Sequence, residues 1–183
     1  VSVVVVSYRR HDEIRACLRD LDAQQTTVPF EVVVVMQAYP EGVPESIVAE
    51  FHPTLALGAY HADRGLGVHG ARNAAIARSS GEIIAFLDDD VRLPPDWLDT
   101  LVSYYATPSV GGVGGFVRHP GSQRISTRLL RPILGLSANR YRIDWGGFHA
   151  IPWAPHPARD QHADWLSGCN MSFRRAALER VGG

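Results

Sequence analysis

The chain opens on a nearly continuous β-branched run, Val1-Ser2-Val3-Val4-Val5-Val6. That is the pattern of a parallel strand covered on both faces. Asp12 follows as an N-cap, and Ile14, Cys17, Leu18 and Leu21 recur behind it at helical spacing. Cys17 therefore reads as core packing. Phe30 to Met36 repeats the buried-strand pattern, and Pro44 to Phe51 suits a short helix. Thr54 to Tyr60 is a weaker strand, His61 to His69 a loop, and Gly70 to Ser79 a helix with Ala71, Ala74, Ala75 and Ile76 on its apolar side. Glu82 to Leu87 is a fourth strand. Pro94 and Pro95 open a helix that runs through Tyr105, since proline is tolerated in a first turn.

Strand and helix alternate this far, which predicts an α/β domain with a mostly parallel sheet flanked by helices. Beyond residue 110 the pattern loosens. Val110 to Val117 is a glycine-rich strand, and the stretch 118–142 carries six arginines and no acid. Ile125, Leu129, Leu130, Ile133 and Leu134 form the apolar side of a short basic helix there. Trp145 to Trp165 reads as irregular. No repeat or linker divides the chain, so a single domain over 1–183 is expected.

Composition narrows the function classes. Hydrophobic residues make up 45% of the 183 and charged residues 20%, ordinary globular values. Eighteen basic residues, all arginine, meet nineteen acidic ones, for a net charge of −1. No global field draws such a chain to nucleic acid or to an anionic membrane. The basic stretch 118–142 is the one local patch suited to peripheral membrane contact or to a lipid-linked acceptor. A solvated helix face is the plainer reading of it. Two cysteines, Cys17 and Cys169, build neither a disulfide framework nor a thiolate zinc site. No apolar run reaches the roughly 18 residues of a spanning helix. A reduced, cytoplasmic setting is expected, with the inner face of the membrane as the place of any contact. The start at Val1 rather than Met suggests a fragment.

The chemistry concentrates in Asp88-Asp89-Asp90, directly behind the buried strand Glu-Ile-Ile-Ala-Phe-Leu. Open α/β sheets bind ligands at the carboxyl ends of their strands. Three adjacent carboxylates repel one another, and a hard cation relieves that. Mg²⁺ and Mn²⁺ take one or two protein carboxylates and complete their shell with water and substrate phosphate. The bland alternative is a solvated acidic turn.

Five ordered pieces carry a resemblance. They are Val3 to Arg9, Gly70 to Ile76, Ser80 to Asp90, Pro95 to Leu98, and Trp165 to Arg175. Together they resemble family 2 glycosyltransferases, inverting enzymes of the GT-A fold, over essentially the whole chain. The resemblance implies a nucleotide-diphospho-sugar donor and Mg²⁺ or Mn²⁺. It implies a glycan or lipid-linked acceptor as well, with a role in polysaccharide or glycolipid synthesis. On the donor side it places Ser7, Tyr8, Arg9, Arg72, Asn73, Asp88 and Asp89, with Asp90 and then Asp88 on the metal. Trp165, Ser167 and Gly168 fall on the acceptor side. Residues 1–117 would be the nucleotide-sugar-binding half and 118–183 the acceptor half.

Two departures stand out. The family places an Asp at the end of the second strand, where this chain has Gln37, an amide able to both donate to and accept from a base edge. The family's general base is also expected beyond Gly183, which leaves Asp164 as the nearby candidate here. Orienting the acceptor or capping a turn are its other readings. A nucleotide-sugar-binding domain without its base is thus one alternative. A second is an NAD-binding oxidoreductase, because Gly65-x-Gly67-x-x-Gly70 satisfies the dinucleotide fingerprint with Asp90 twenty residues on. The glycines follow the third strand rather than the first, which counts against it. His149, His156 and His162 lack helical metal-pair spacing. Trp145, Trp153 and Trp165 offer sugar-stacking faces, with core or lid packing as the equal alternative.

Overall fold

A computed structural model describes residues 1–62, 65–115, 117, 142–143, 149–150 and 162–182. The valine runs form the middle of a six-stranded sheet. Its strands are β1 (Ser2–Tyr8), β2 (Glu31–Gln37), β3 (Leu57–Ala62), β4 (Ile83–Asp88), β5 (Gly112–Gly114) and β8 (Asn170–Arg174). They lie in the order β3-β2-β1-β4-β8-β5. The helices are α1 (His11–Asp22), α2 (Val43–Phe51), α3 (Gly67–Ile76), α4 (Trp97–Ser103) and α5 (Arg175–Val181).

Alternation along the strands builds two cores. Val3, Val5, Val32, Val34, Ala85 and Leu87 face one side, under Ile14, Cys17, Leu18 and Leu21 of α1, Ile47 and Phe51 of α2 and Leu98 of α4. Val4, Val33, Val35, Ile84 and Phe86 face the other, under Ala71 and Ala75 of α3, with Leu178 of α5 packed against them. Helices on both faces explain why these strands read as continuous apolar runs.

The chain winds outward from β1 to β2 to β3, and α3 then returns it to β4 on the far side of β1. The order reverses between β1 and β4. That is the topological switch point at whose carboxyl side an open α/β sheet leaves a crevice.

Five local expectations are corrected. The helix α1 begins at His11 with Arg10 as N-cap and no side-chain cap bond, so Asp12 sits inside the first turn. There it complements the helix dipole instead of capping. Helix α3 starts at Gly67, three residues early, because Gly65 and Gly67 take left-handed φ of +71° and +61° and turn the chain straight into it. Strand β3 runs Leu57–Ala62 rather than 54–60. Helix α4 starts only at Trp97, after the prolines, and ends in a 3₁₀ turn at Tyr104–Ala106. The Gly-rich strand shrinks to Gly112–Gly114. The sheet is also mixed. Three pairings are parallel, while β8 runs antiparallel to both β4 and β5.

The chain divides into two compact units, Val1–Gly115 with Gly168–Gly183, and Phe116–Ser167. Within the second, β6 (Arg142–Ile143) pairs antiparallel with β7 (His149–Ala150). The rest of the expected basic helix over 118–142, the side chain of His149, and Trp145, Trp153 and His156 lie outside the described residues. Among the described residues no helix is long and apolar enough to cross a membrane.

At the amino ends of the strands a polar latch ties the sheet together. Glu31 Oε1 accepts from Ser2 Oγ at 2.7 Å, from the Ser80 amide at 2.6 Å and from Ser80 Oγ at 2.7 Å. Gly81 closes the latch, because a Cβ there would stand 2.6 Å from the Ser2 backbone nitrogen. Burial pushes the Glu31 carboxyl up, but the Ser80 amide and the hydroxyls of Ser2 and Ser80 outweigh it and hold the group below its ordinary range.

A depressed folded pKa contributes stability above the unfolded value and loses it as pH falls through the folded one. Glu31→Gln should therefore cost about 1 kcal/mol at neutral pH. The cost should vanish on acidification through and below the ordinary carboxylate range, as read by urea denaturation across pH. Leu98→Ala, at a position with no exposure, should cost about 2 to 5 kcal/mol in the same assay.

Candidate active site

β4 ends at the switch point on three carboxylates, and strand alternation sends them different ways. Asp88 turns to the α3 face, where Arg72 Nη2 donates to Oδ1 at 3.3 Å. Asp89 turns to the opposite face and is 4% exposed. Its Oδ2 accepts from Ser7 Oγ at 2.5 Å and its Oδ1 from Arg10 Nη1 at 3.2 Å. Asp90 lies in the turn beyond, with its side chain 54% exposed, and accepts from the same Arg10 nitrogen at 2.7 Å.

The electrostatics follow from this split. Burial pushes the Asp89 carboxyl up, against the lowering effect of the Ser7 hydroxyl and the Arg10 charge. The hydrogen bond to Asp90, and then the charge of Asp89, hold the Arg10 guanidinium above its usual value. Cys17 lies under the same strand end, its Sγ 4.0 Å from the Asp88 carbonyl oxygen. Burial, then the charges of Asp20 and Asp89, push its thiol up to about 12. A thiol so placed is no nucleophile.

Behind the triplet runs a chain of hydroxyls. Tyr39 OH accepts from the Arg10 amide at 3.1 Å and lies 2.6 Å from Ser7 Oγ. Its ring stacks on His11 at 4.8 Å between centroids. Burial raises the Tyr39 hydroxyl, with Ser7 partly opposing it. Ser7, expected at the donor, is 1% exposed and spends its hydroxyl on Asp89 and Tyr39.

An open cleft of about 810 Å³ borders this network, lined by Tyr8, Arg9, His11, Ala38, Tyr39, Pro40 and Gly65. Tyr8 is 56% exposed and Arg9 lies over its ring, 5.3 Å from the centroid. Arg9 and Ala38 both take left-handed φ, +57° and +55°, at the ends of adjacent strands. Backbone held there by a non-glycine residue is strained, and such strain concentrates at functional sites. Arg9 Nε donates to the Ala38 carbonyl at 3.3 Å, which joins the two turns. Gln37, 5% exposed, sits in register with Tyr8 across β1 and β2.

Arg72 is fixed rather than free. Its guanidinium donates to the Gly168 carbonyl at 2.7 Å, lies over Phe86, and is 13% exposed. A Cβ at Gly168 would stand 3.3 Å from it. Asn73 is exposed on α3. Thus the switch point gathers Ser7, Tyr8, Arg9, Gln37, Arg72, Asp88, Asp89, Asp90 and Gly168. Asp164, Trp165 and Ser167 belong to the second unit, with Asp164 exposed. The glycines of the dinucleotide fingerprint open α3 behind β3, an edge strand of the sheet. A fingerprint turn belongs at the central strand beside the switch point, so that reading is set aside.

The residues suit a hard divalent cation. Among the described residues no three His, Cys, Asp or Glu side chains gather to hold a metal. Mg²⁺ or Mn²⁺ needs only one or two carboxylates. Asp88 and Asp90 are two half-exposed carboxylates at this strand end, each engaging an arginine through one oxygen. The motif reading missed Arg10, Tyr39 and His11. Arg10 follows the noticed Arg9, but its partners stand 79 and 80 residues away.

The family model for glycosyl transferase family 2 matches residues 2–182. Glycosyltransferase AglE of Haloferax volcanii is 36% identical over 121 residues, which is 64% of this chain and 39% of that protein. The O-antigen biosynthesis protein RfbC of Myxococcus xanthus is 27% identical over all of this chain and 14% of its own length. Among solved structures, a mannosyltransferase of Pyrobaculum calidifontis in complex with GDP-Man and Mn²⁺ superposes with a TM-score of 0.69. It is 29% identical and is matched over 100% of this chain and 46% of its own. The chain thus spans less than half the length of each of these relatives. Its mixed six-stranded sheet flanked by helices is that of a GT-A glycosyltransferase, and the chain belongs to glycosyl transferase family 2.

Proposed function

We propose that this chain carries the donor site of an enzyme that moves a sugar from a nucleotide-diphospho-sugar to an acceptor hydroxyl, with inversion and with Mg²⁺ or Mn²⁺. The observation that carries the reading is that two half-exposed carboxylates, Asp88 and Asp90, stand at the carboxyl end of β4, at the switch point of the sheet. A relative that binds GDP-Man and Mn²⁺ supports the donor class, and one named for O-antigen biosynthesis supports a polysaccharide or glycolipid product. Residues 1–117 would serve the donor and 118–183 the acceptor.

The side chains divide the work. Tyr8 offers an exposed ring for the base, with Arg9 over it and Gln37 opposite it in the strand register. Asn73, exposed on α3, would lie beside the nucleotide, while Arg72 holds Asp88 in place. Asp89 does not meet solvent, so it braces Ser7 and Arg10 from beneath. Asp90, with Asp88 as the second candidate, would hold the cation, which when bound would act as a Lewis acid toward the leaving diphosphate. The acceptor hydroxyl gives up its proton to a carboxylate. Asp164 is this chain's candidate for that base, and a general base at hydrogen-bond reach contributes about 10²- to 10⁴-fold. Trp165, Ser167 and Gly168 would line the acceptor's approach.

Calorimetric titration of the chain with GDP and UDP, each with Mn²⁺ and then with EDTA, tests the reading, with NAD as comparator. One nucleoside diphosphate should bind in a metal-dependent way, and Asp90→Asn should weaken that binding at least about tenfold with the circular dichroism unchanged. Equal binding with Mn²⁺ and EDTA, or an Asp90→Asn protein that binds like the parent, would overturn the metal assignment. Binding of NAD alone would overturn the donor class.

A further inference from the structure

Two arginines engage the triplet, and they are held in opposite ways. Arg72 is 13% exposed, anchored on the Gly168 carbonyl and laid over Phe86. Arg10 is 51% exposed and reaches Asp89 and Asp90 through a single nitrogen, Nη1. The root of Arg10 is nonetheless fixed. Its amide donates to Tyr39 OH at 3.1 Å, and its carbonyl accepts the Ile14 amide at 3.1 Å. Only the side chain is placed to swing.

We propose that Arg10 is an exchangeable counter-cation, which holds Asp89 and Asp90 until a divalent cation takes Asp90 and then turns its guanidinium to the diphosphate of the donor. The inference rests on the reading of Asp90 as the metal-holding carboxylate.

Three observations support it. First, Arg10 sits on an Asp90 oxygen that a cation would also seek. A guanidinium and a hard divalent ion cannot both take the best position on one half-exposed carboxylate without repelling each other. Second, release leaves Asp89 satisfied, because the Ser7 hydroxyl donates to its other oxygen whatever Arg10 does. Third, three carboxylates face two guanidinium groups here. A divalent cation alone reverses the sign of that balance, and a doubly charged diphosphate restores it. A released guanidinium, with its planar fork of donors, suits the diphosphate well. Arg72, pinned on a backbone carbonyl, is the less free of the two.

The test separates metal from nucleotide. Mn²⁺ alone is titrated into the parent chain and into Arg10→Gln, Arg10→Lys and Asp90→Asn, with free Mn²⁺ read by electron paramagnetic resonance. Removing an exposed competing ion pair should tighten Mn²⁺ binding in Arg10→Gln about two- to fivefold, while Arg10→Lys stays near the parent. GDP and UDP are then titrated calorimetrically at saturating Mn²⁺. There Arg10→Gln should bind the preferred nucleotide at least about tenfold more weakly, the loss of one charge-assisted pair. Arg10→Lys should fall between.

Opposite signs in the two titrations are what a merely structural strut would not give. Unchanged or weaker Mn²⁺ binding in Arg10→Gln overturns the exchange. Tighter Mn²⁺ binding with unchanged nucleotide affinity overturns the turn toward the diphosphate. An Asp90→Asn protein that binds Mn²⁺ like the parent instead overturns the underlying metal assignment. If Arg10→Gln does not fold, Arg10→Lys decides: nucleotide affinity equal to the parent's overturns the proposal.

Discussion

The site is organised by one difficulty, three carboxylates in succession at the end of a strand that is buried up to its last residues. β geometry alone cannot place them side by side in a dry core. Alternation sends Asp88 to the α3 face and Asp89 to the opposite one, and the chain turns before Asp90. Each then meets a different remedy. Asp88 has an arginine pinned by a backbone carbonyl, Asp89 has a serine hydroxyl and a guanidinium, and Asp90 has solvent and the same guanidinium. The elements that supply these partners are β1, α3 and the loop before β8. The polar network therefore fixes how those elements meet at the carboxyl edge, while the valine cores fix the sheet beneath it.

Much of this was legible in the sequence, for identifiable reasons. Strands β1, β2 and β4 announced themselves because both faces are covered, so almost every position is apolar. The helix α1 showed its buried stripe of Ile14, Cys17, Leu18 and Leu21. The triplet was visible because it directly follows such a strand. The start of α3 was hidden because left-handed glycines at 65 and 67 look like loop while they steer the chain into helix. The antiparallel strand β8 was hidden because orientation is a long-range fact, and nothing within Asn170–Arg174 states that its neighbour is β4.

The same distinction applies to the site. Motif residues such as Arg72 and Asp88 lie 16 positions apart across one helix–strand unit, and a local pattern can hint at them. Tyr39 lies 32 residues from Ser7, and Arg10 lies 79 and 80 from its two carboxylates. Their partnership exists only once the sheet brings the ends of β1, β2 and β4 together. Of the residues noticed for chemistry, Ser7 turned inward and became part of the support. A serine after a buried strand gives no sign of which side it will face until register is known.

The hydroxyl chain beneath the triplet has a fixed sense of direction. Tyr39 OH accepts from the Arg10 amide, and the single Ser7 proton goes to Asp89, so the Tyr39 proton must point at Ser7. Every dipole in the series is therefore aligned toward one carboxylate, and aligned hydrogen bonds polarise one another. Arg10 stands at both ends, giving its amide to the first oxygen and its guanidinium to the last acceptor. The row is a ring with a handedness, and a hydroxyl within it cannot reverse alone. The phenol of Tyr39 is thus tied through one serine hydroxyl to the charge of Asp89, and its orientation is set by a carboxylate it does not touch.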